Sequence, residues 1–183
     1  MAEYYLISQL PSLDGLGENT APPITEERFL ELCGRFLGKK AQKELSQLTL
    51  LPPKTPENSD SALIRAWNEG ERNLRFALGK VRADKMKKPF DTEDKSFPIE
   101  LIRTVNAAVG MENPMEAEKL LLKYRLDFLE TLRPMDSFSQ DFIYYYGLKL
   151  KLILRIEQFD AALGEAAYKD IYGSILNGDR LEA

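Results

Sequence analysis

Glu69, Glu71, Arg72, Asn73 and Arg75 form the polar cluster in this chain with the most chemical potential. Glu71 and Arg75 are four residues apart, as are Glu69 and Asn73, and that spacing brings side chains together on a helix surface. Two readings follow. One is a solvated helix face carrying an ion pair worth about 0.3–0.5 kcal/mol. The other is a polar seam that holds a neighbouring helix. A second group, Asp91, Glu93 and Asp94, has the charge for a hard cation. It lies between Pro89 and Pro98, where a solvated linker is the simpler reading.

Named absences narrow the chemistry further. The 183-residue chain has no histidine and a single cysteine, Cys33. That removes Ser-His-Asp and Cys-His arrangements and the imidazole ligands of most zinc and non-haem iron sites. An internal disulfide is impossible, which fits a reducing compartment or indifference to redox. No G-x-x-x-x-G-K-[ST] or G-x-G-x-x-G loop is present, and Gly15-Leu16-Gly17 lacks the required continuation. The aspartates form no D-D-x-x-D motif, so diphosphate handling through Mg²⁺ is unsupported as well. The sequence assigns no catalytic, cofactor-binding or metal-binding residue, and the expectation is a protein that is not an enzyme.

Net charge is −4, so no global field favours nucleic acid or an anionic membrane. Charge is uneven, however: residues 61–95 hold nine bases and six acids. Lys85, Lys87 and Lys88 close this stretch. They read either as complements to the negative end of a helix dipole or as a docking patch for an acidic partner or headgroups. No basic, apolar leader pattern opens the chain. The most apolar stretch, Phe142 to Ile156, is interrupted by Lys149, Lys151 and Arg155, short of the ~20 apolar residues of a spanning helix. A cytoplasmic protein is expected.

These side chains must be positioned by helices. Leu63, Trp67, Gly70, Leu74, Ala77 and Val81 recur at intervals of 4, 3, 4, 3 and 4, a heptad seam that packs a helix lengthwise on a partner. Gly70 on that seam leaves room for a neighbouring backbone, and Trp67 reads as core. Phe138, Phe142, Tyr145, Leu152, Ile156, Phe159 and Leu163 share another stripe, widened by Tyr146, Leu150 and Ile153, that should be buried on more than one side. Tyr144, Tyr145 and Tyr146 are successive, so at least one ring should leave the main core face. Tyr144 and Tyr146 are thus candidate rim, lobe-to-lobe or partner contacts. Thr25, Ser59 or Asp60, and Asn113 followed by Pro114 are natural helix starts. Tyr4 to Pro11 could be a short strand or one helical turn stopped by Pro11, and Gly164 a break in the last long helix.

The fold class expected is all-α, a helical bundle of about six or seven helices. Two are long, Ser61–Lys88 and Ser139–Leu163. Two lobes, 1–88 and 99–183, would flank a linker at 89–98, with one continuous domain as the alternative.

Tyr4-Tyr5-Leu6-Ile7-Ser8-Gln9-Leu10-Pro11 resembles the N-terminal signature of an uncharacterised bacterial family encoded near V-type ATPase genes. Trp67 to Arg75 with Val81-Arg82-Ala83, and the closing run from Asp136-Ser137-Phe138-Ser139 to Phe159-Asp160, also resemble that family. The core of Glu69 or Glu71 with Arg72-Asn73-Leu74-Arg75 is similar to a segment of the all-helical socket protein of V/A-type ATPases, which seats the central stalk on the membrane ring. These segments cover roughly a third of the chain, which is about half the usual length of that socket protein. The resemblance implies a non-enzymatic, all-helical peripheral component or assembly factor of a proton- or sodium-translocating V/A-type ATPase. Its partners would be the central stalk and the membrane ring. The candidate partner contacts are Glu69, Glu71, Arg72, Asn73, Arg75, Lys85, Lys87, Lys88, Tyr144 and Tyr146. Its rivals are a helical adaptor or regulator unrelated to the ATPase, and a small-ligand-binding helical protein.

Overall fold

Capping side chains start several of the helices. Thr25 Oγ1 accepts from the Arg28 amide at 3.2 Å, Ser61 Oγ from the Ile64 amide at 3.2 Å, and Asn113 Oδ1 from the Met115 amide at 3.0 Å. Each satisfies a backbone donor that the first helical turn leaves unpaired. The computed structural model describes residues 2–15, 21–52, 59–90, 96–157 and 161–178. Its elements are α1 (Ala2–Gln9), α2 (Glu26–Phe36), α3 (Lys39–Ser46), α4 (Ala62–Lys85), α5 (Ile99–Gly110), α6 (Pro114–Thr131), α7 (Gln140–Glu157) and α8 (Ala161–Gly178). Among the described residues there is no strand, and the fold is an all-α bundle.

Two local expectations need correction, the cap of α4 and the break at Gly164, and two others are sharpened. Of the two readings of the opening segment the helical one holds: α1 draws Leu6 fully into the core while Tyr4 and Tyr5 stay outside. Among the described residues eight helices make up the all-α bundle, expected to hold about six or seven. The cap of α4 is Ser61: Ser59 instead receives the Ser61 amide at 3.2 Å, and Asp60 is paired with Lys40. The last long helix, expected to reach Leu163, meets residues 158–160 between α7 and α8, which lie outside the described residues, but Gly164 falls inside α8 and does not break a helix.

Helix directions follow from side-chain pairs. Ser61 Oγ donates to Asp141 Oδ1 at 2.7 Å, joining the start of α4 to the start of α7. Arg125 of α6 meets Glu71 of α4, and Lys149 and Arg155 of α7 meet Glu130 and Glu118 of α6. Hence α4 and α7 run one way and α6 runs back between them. Helices α2 and α3 cover α7 from another side through Phe29 and Leu45, which close on Gly147. The broad apolar stripe of α7 is therefore buried on several sides, as its width requires.

Two apolar clusters are stitched by the same long helix. Leu63, Ile64 and Trp67 of α4 join Leu6, Phe29, Leu45, Leu122 and the α7 stripe. Further along α4, Leu74, Ala77 and Leu78 join Leu101, Val105, Ala108 and Leu121. Each cluster draws on residues from both sides of 89–98. Trp67 is 0% exposed and stacks on Phe128 with ring centroids 6.2 Å apart. A Cβ built at Gly70 would lie 2.3 Å from Phe128 Cε1. The glycine on the seam thus admits an aromatic ring of α6, not a neighbouring backbone.

Candidate partner-contact surface

The polar cluster on α4 turns largely inward. Glu71 is 2% exposed, and Arg125 Nε donates to its Oε1 at 2.7 Å. Arg75 stands 3.8 Å from the other oxygen, which accepts no hydrogen bond among the described residues. Arg125 also faces Glu118 at 3.7 Å, and Arg155 reaches Glu118 at 2.9 Å. Burial pushes the Glu71 carboxyl above the usual range, and the two nearby guanidinium groups offset this only in part. The solvated-face reading fails for Glu71. The seam reading holds, with α6 of the same chain as the neighbour. Glu69 and Arg75 are exposed, Arg72 and Asn73 half-buried. The expected Glu71–Arg75 pair is present but long, because Arg125 takes the better position.

The basic end divides in the same manner. Lys85 Nζ donates to the Val109 carbonyl at 2.7 Å, so it closes the C-terminus of α5. Lys87 adopts φ +54°, a left-handed conformation usually left to glycine, and the Lys88 amide returns to the Ala83 carbonyl at 3.0 Å. Lys87 and Lys88 project into solvent. The acidic run Asp91, Glu93 and Asp94 lies outside the described residues. Among the described residues no group of His, Cys, Asp or Glu is placed to hold a metal ion.

Tyr144, Tyr145 and Tyr146 are all buried, against the expectation that one ring must leave the core. α7 has different neighbours on different sides, and each phenol finds its own. Tyr144 donates to Glu44 at 2.7 Å and accepts from Gln140. Tyr145 donates to Glu130 at 2.7 Å and Tyr146 to the Pro11 carbonyl at 2.8 Å. Burial pushes all three phenols up, Tyr145 to about 12, and the acceptor carboxylates of Tyr144 and Tyr145 add to the effect. Tyr144 and Tyr146 are internal struts and offer no surface to a partner.

Beside them, Lys149 is a buried cation, although its place in the sequence marks it only as an interruption of an apolar run. Its Nζ donates to Asp14 at 2.6 Å and Glu130 at 2.7 Å. Burial opposes the charge, but the hydrogen bonds to the two carboxylates outweigh it and raise the ammonium. The bond from Lys149 holds Asp14 below its ordinary range. Burial alone would raise Glu130, yet donation from Lys149 and Tyr145 lowers it. Cys33 is buried too, and desolvation pushes its thiol to about 12, far from reactive.

Besides the exposed Tyr168–Tyr172 stack of α8, two surface features are formed by the described residues. Tyr4 of α1 stacks on Phe138 in the α6–α7 loop, ring centroids 4.7 Å apart, with Tyr5 edge-on to Tyr4 at 6.1 Å. These side chains are 55%, 49% and 59% exposed, and Met135 in the same loop is fully exposed. The second feature is a groove of about 390 Å³ between α5 and α6, lined by residues that include Tyr124, Phe128, Glu100 and Asp127. Neither is legible in the sequence. Tyr4 and Phe138 both lie in the segments that carry the resemblance, but only the fold places one ring on the other.

No protein-family model, no curated protein and no solved structure matches the chain. What is established is the class: an all-helical bundle in which no helix of the described residues is long and apolar enough to cross a membrane.

Proposed function

We propose that the chain is a non-enzymatic peripheral component or accessory protein of a bacterial V/A-type ATPase. In this reading it acts as a stalk socket and links the central stalk to the membrane ring. The observation that carries the proposal is the exposed aromatic cluster of Tyr4, Tyr5 and Phe138. Its members come from the N-terminal and closing segments, the two terminal stretches that carry the family resemblance. Partly exposed aromatic rings supply large contact area at low entropic cost and are enriched where proteins bind one another.

Rigidity supports the same role. A coupling element must pass force without deforming, and close-packed cores deform little. Here α7 is enclosed on several sides, its three tyrosines are pinned to Glu44, Glu130 and Pro11, and Lys149 ties Asp14 to Glu130. The inward turn of Glu71 moves the partner surface away from the Glu69–Arg75 segment, of which Glu69 and Arg75 alone are exposed. The test is purification of the tagged chain from native membranes. Proteins of the central stalk and the ring are expected to accompany it, and Tyr4→Ser with Phe138→Ser to reduce their yield. Recovery of none of the ATPase proteins contradicts the proposal and leaves a helical adaptor of other proteins as the better reading.

A further inference from the structure

The α5–α6 groove is built on ridges of both helices. Glu100, Arg103 and Thr104 stand at i, i+3, i+4 on α5, and Tyr124, Asp127, Phe128 and Thr131 at i, i+3, i+4, i+7 on α6. Phe128 is fixed from behind by Trp67 and by the notch at Gly70, so the aromatic wall is preformed. Tyr124 is half-buried beside it. Its phenol is pushed up first by burial and then by the negative charges of Glu100 and Glu71. Glu100 and Asp127 are exposed and show no ion pair among the described residues. Two carboxylates against the one guanidinium of Arg103 leave the groove negative.

A negative, aromatic-walled groove of this size suits a cation on an apolar stem. Aromatic faces attract ammonium and guanidinium groups, and long cationic side chains lay their methylenes on apolar surface. The volume of about 390 Å³ is at the lower end for small-molecule sites, enough for a side chain and its flanking backbone.

We propose that the α5–α6 groove seats a lysine or arginine side chain of a partner polypeptide. The charge lies between Glu100 and Asp127, and the stem lies on the Tyr124 and Phe128 rings. This site is separate from the Tyr4–Phe138 cluster and does not depend on the ATPase reading.

The experiment is titration of the ¹⁵N-labelled chain with the peptide acetyl-Gly-Ser-Arg-Ser-Gly-amide, followed by amide shifts. A matched peptide with norleucine in place of arginine is the control. Saturable shifts are expected at Thr104, Asp127 and Thr131, with the norleucine peptide weaker by about fivefold or more. Glu100→Gln and Asp127→Asn should each weaken the arginine peptide by about threefold, and Arg103→Gln should strengthen it. All three positions are exposed, so the thermal transition should be unchanged. Equal response to both peptides, shifts that map elsewhere, or Glu100→Gln and Asp127→Asn binding as the parent does would each overturn the proposal.

Discussion

Arg125 Nε donates to Glu71 Oε1 at 2.7 Å across the α4–α6 contact, in a place where Glu71 is almost wholly removed from water. Removing one member of a buried pair strands the other charge, at a cost of about 3–5 kcal/mol. Glu71→Ala is expected to lower unfolding stability by that order. Replacing the pair together, Glu71→Leu with Arg125→Met, should cost much less than the sum of the two single changes. Urea denaturation of the four proteins in a double-mutant cycle measures the difference. Additive losses would mean that Arg75 and Glu118 carry the charges instead.

Gly70 and Gly79 lie on the same helix and predict opposite outcomes. A Cβ at Gly70 would meet Phe128, a ring locked against Trp67, at 2.3 Å. Gly70→Ala should destabilise by about 1–3 kcal/mol through overpacking, although alanine is the better helix former. A Cβ at Gly79 would meet the Phe90 ring at 2.5 Å, but Phe90 is partly exposed and beyond the helix end, so it can turn aside. Gly79→Ala should be neutral or stabilising by up to about 1 kcal/mol. Thermal melts of the two variants decide it.

Much of the fold was legible in the residues. The Leu63–Val81 seam is α4, Asn113-Pro114 opens α6 as its chemistry requires, and Trp67 is core. What was hidden is what depends on register between helices. The partner of Glu71 is 54 positions away and that of Tyr146 is 135 away, separations that local spacing does not encode. Three successive tyrosines looked excessive for one core face. They are accommodated because α7 has α2, α3 and α6 around it, and that enclosure is a tertiary property. The Tyr4–Phe138 stack was hidden for the same reason: each residue is unremarkable in its own segment.

Acid should weaken the protein through Asp14 and Glu130. Their carboxyls are held below the ordinary range in the folded chain, so they contribute stability above the unfolded carboxylate values, about 4. That contribution is lost as pH falls through the depressed folded values. Glu71 acts in the opposite sense: its raised carboxyl favours the fold below the ordinary range, and the benefit is lost as pH rises through the raised value. Lys149→Met should therefore flatten the acid loss, and Glu71→Gln should steepen it. Stability measured by denaturant titration from pH 6 downward gives both slopes.

Tyr146→Phe removes the donor to the Pro11 carbonyl and should cost about 1–2 kcal/mol without altering the outer surface. Tyr4→Ser with Phe138→Ser should change stability little, because both rings are half exposed, yet impair partner capture. Comparing melts with co-purification for the two variants separates strut from contact.

The proposed hold on ATPase proteins through the aromatic surface can be read out by placing a photo-cross-linking amino acid at Tyr4 in native cells. Cross-linked products are then identified by mass spectrometry. Adducts with a protein of the central stalk or the membrane ring are expected, lost when Phe138 is also changed to Ser. Adducts that contain no ATPase protein would contradict it.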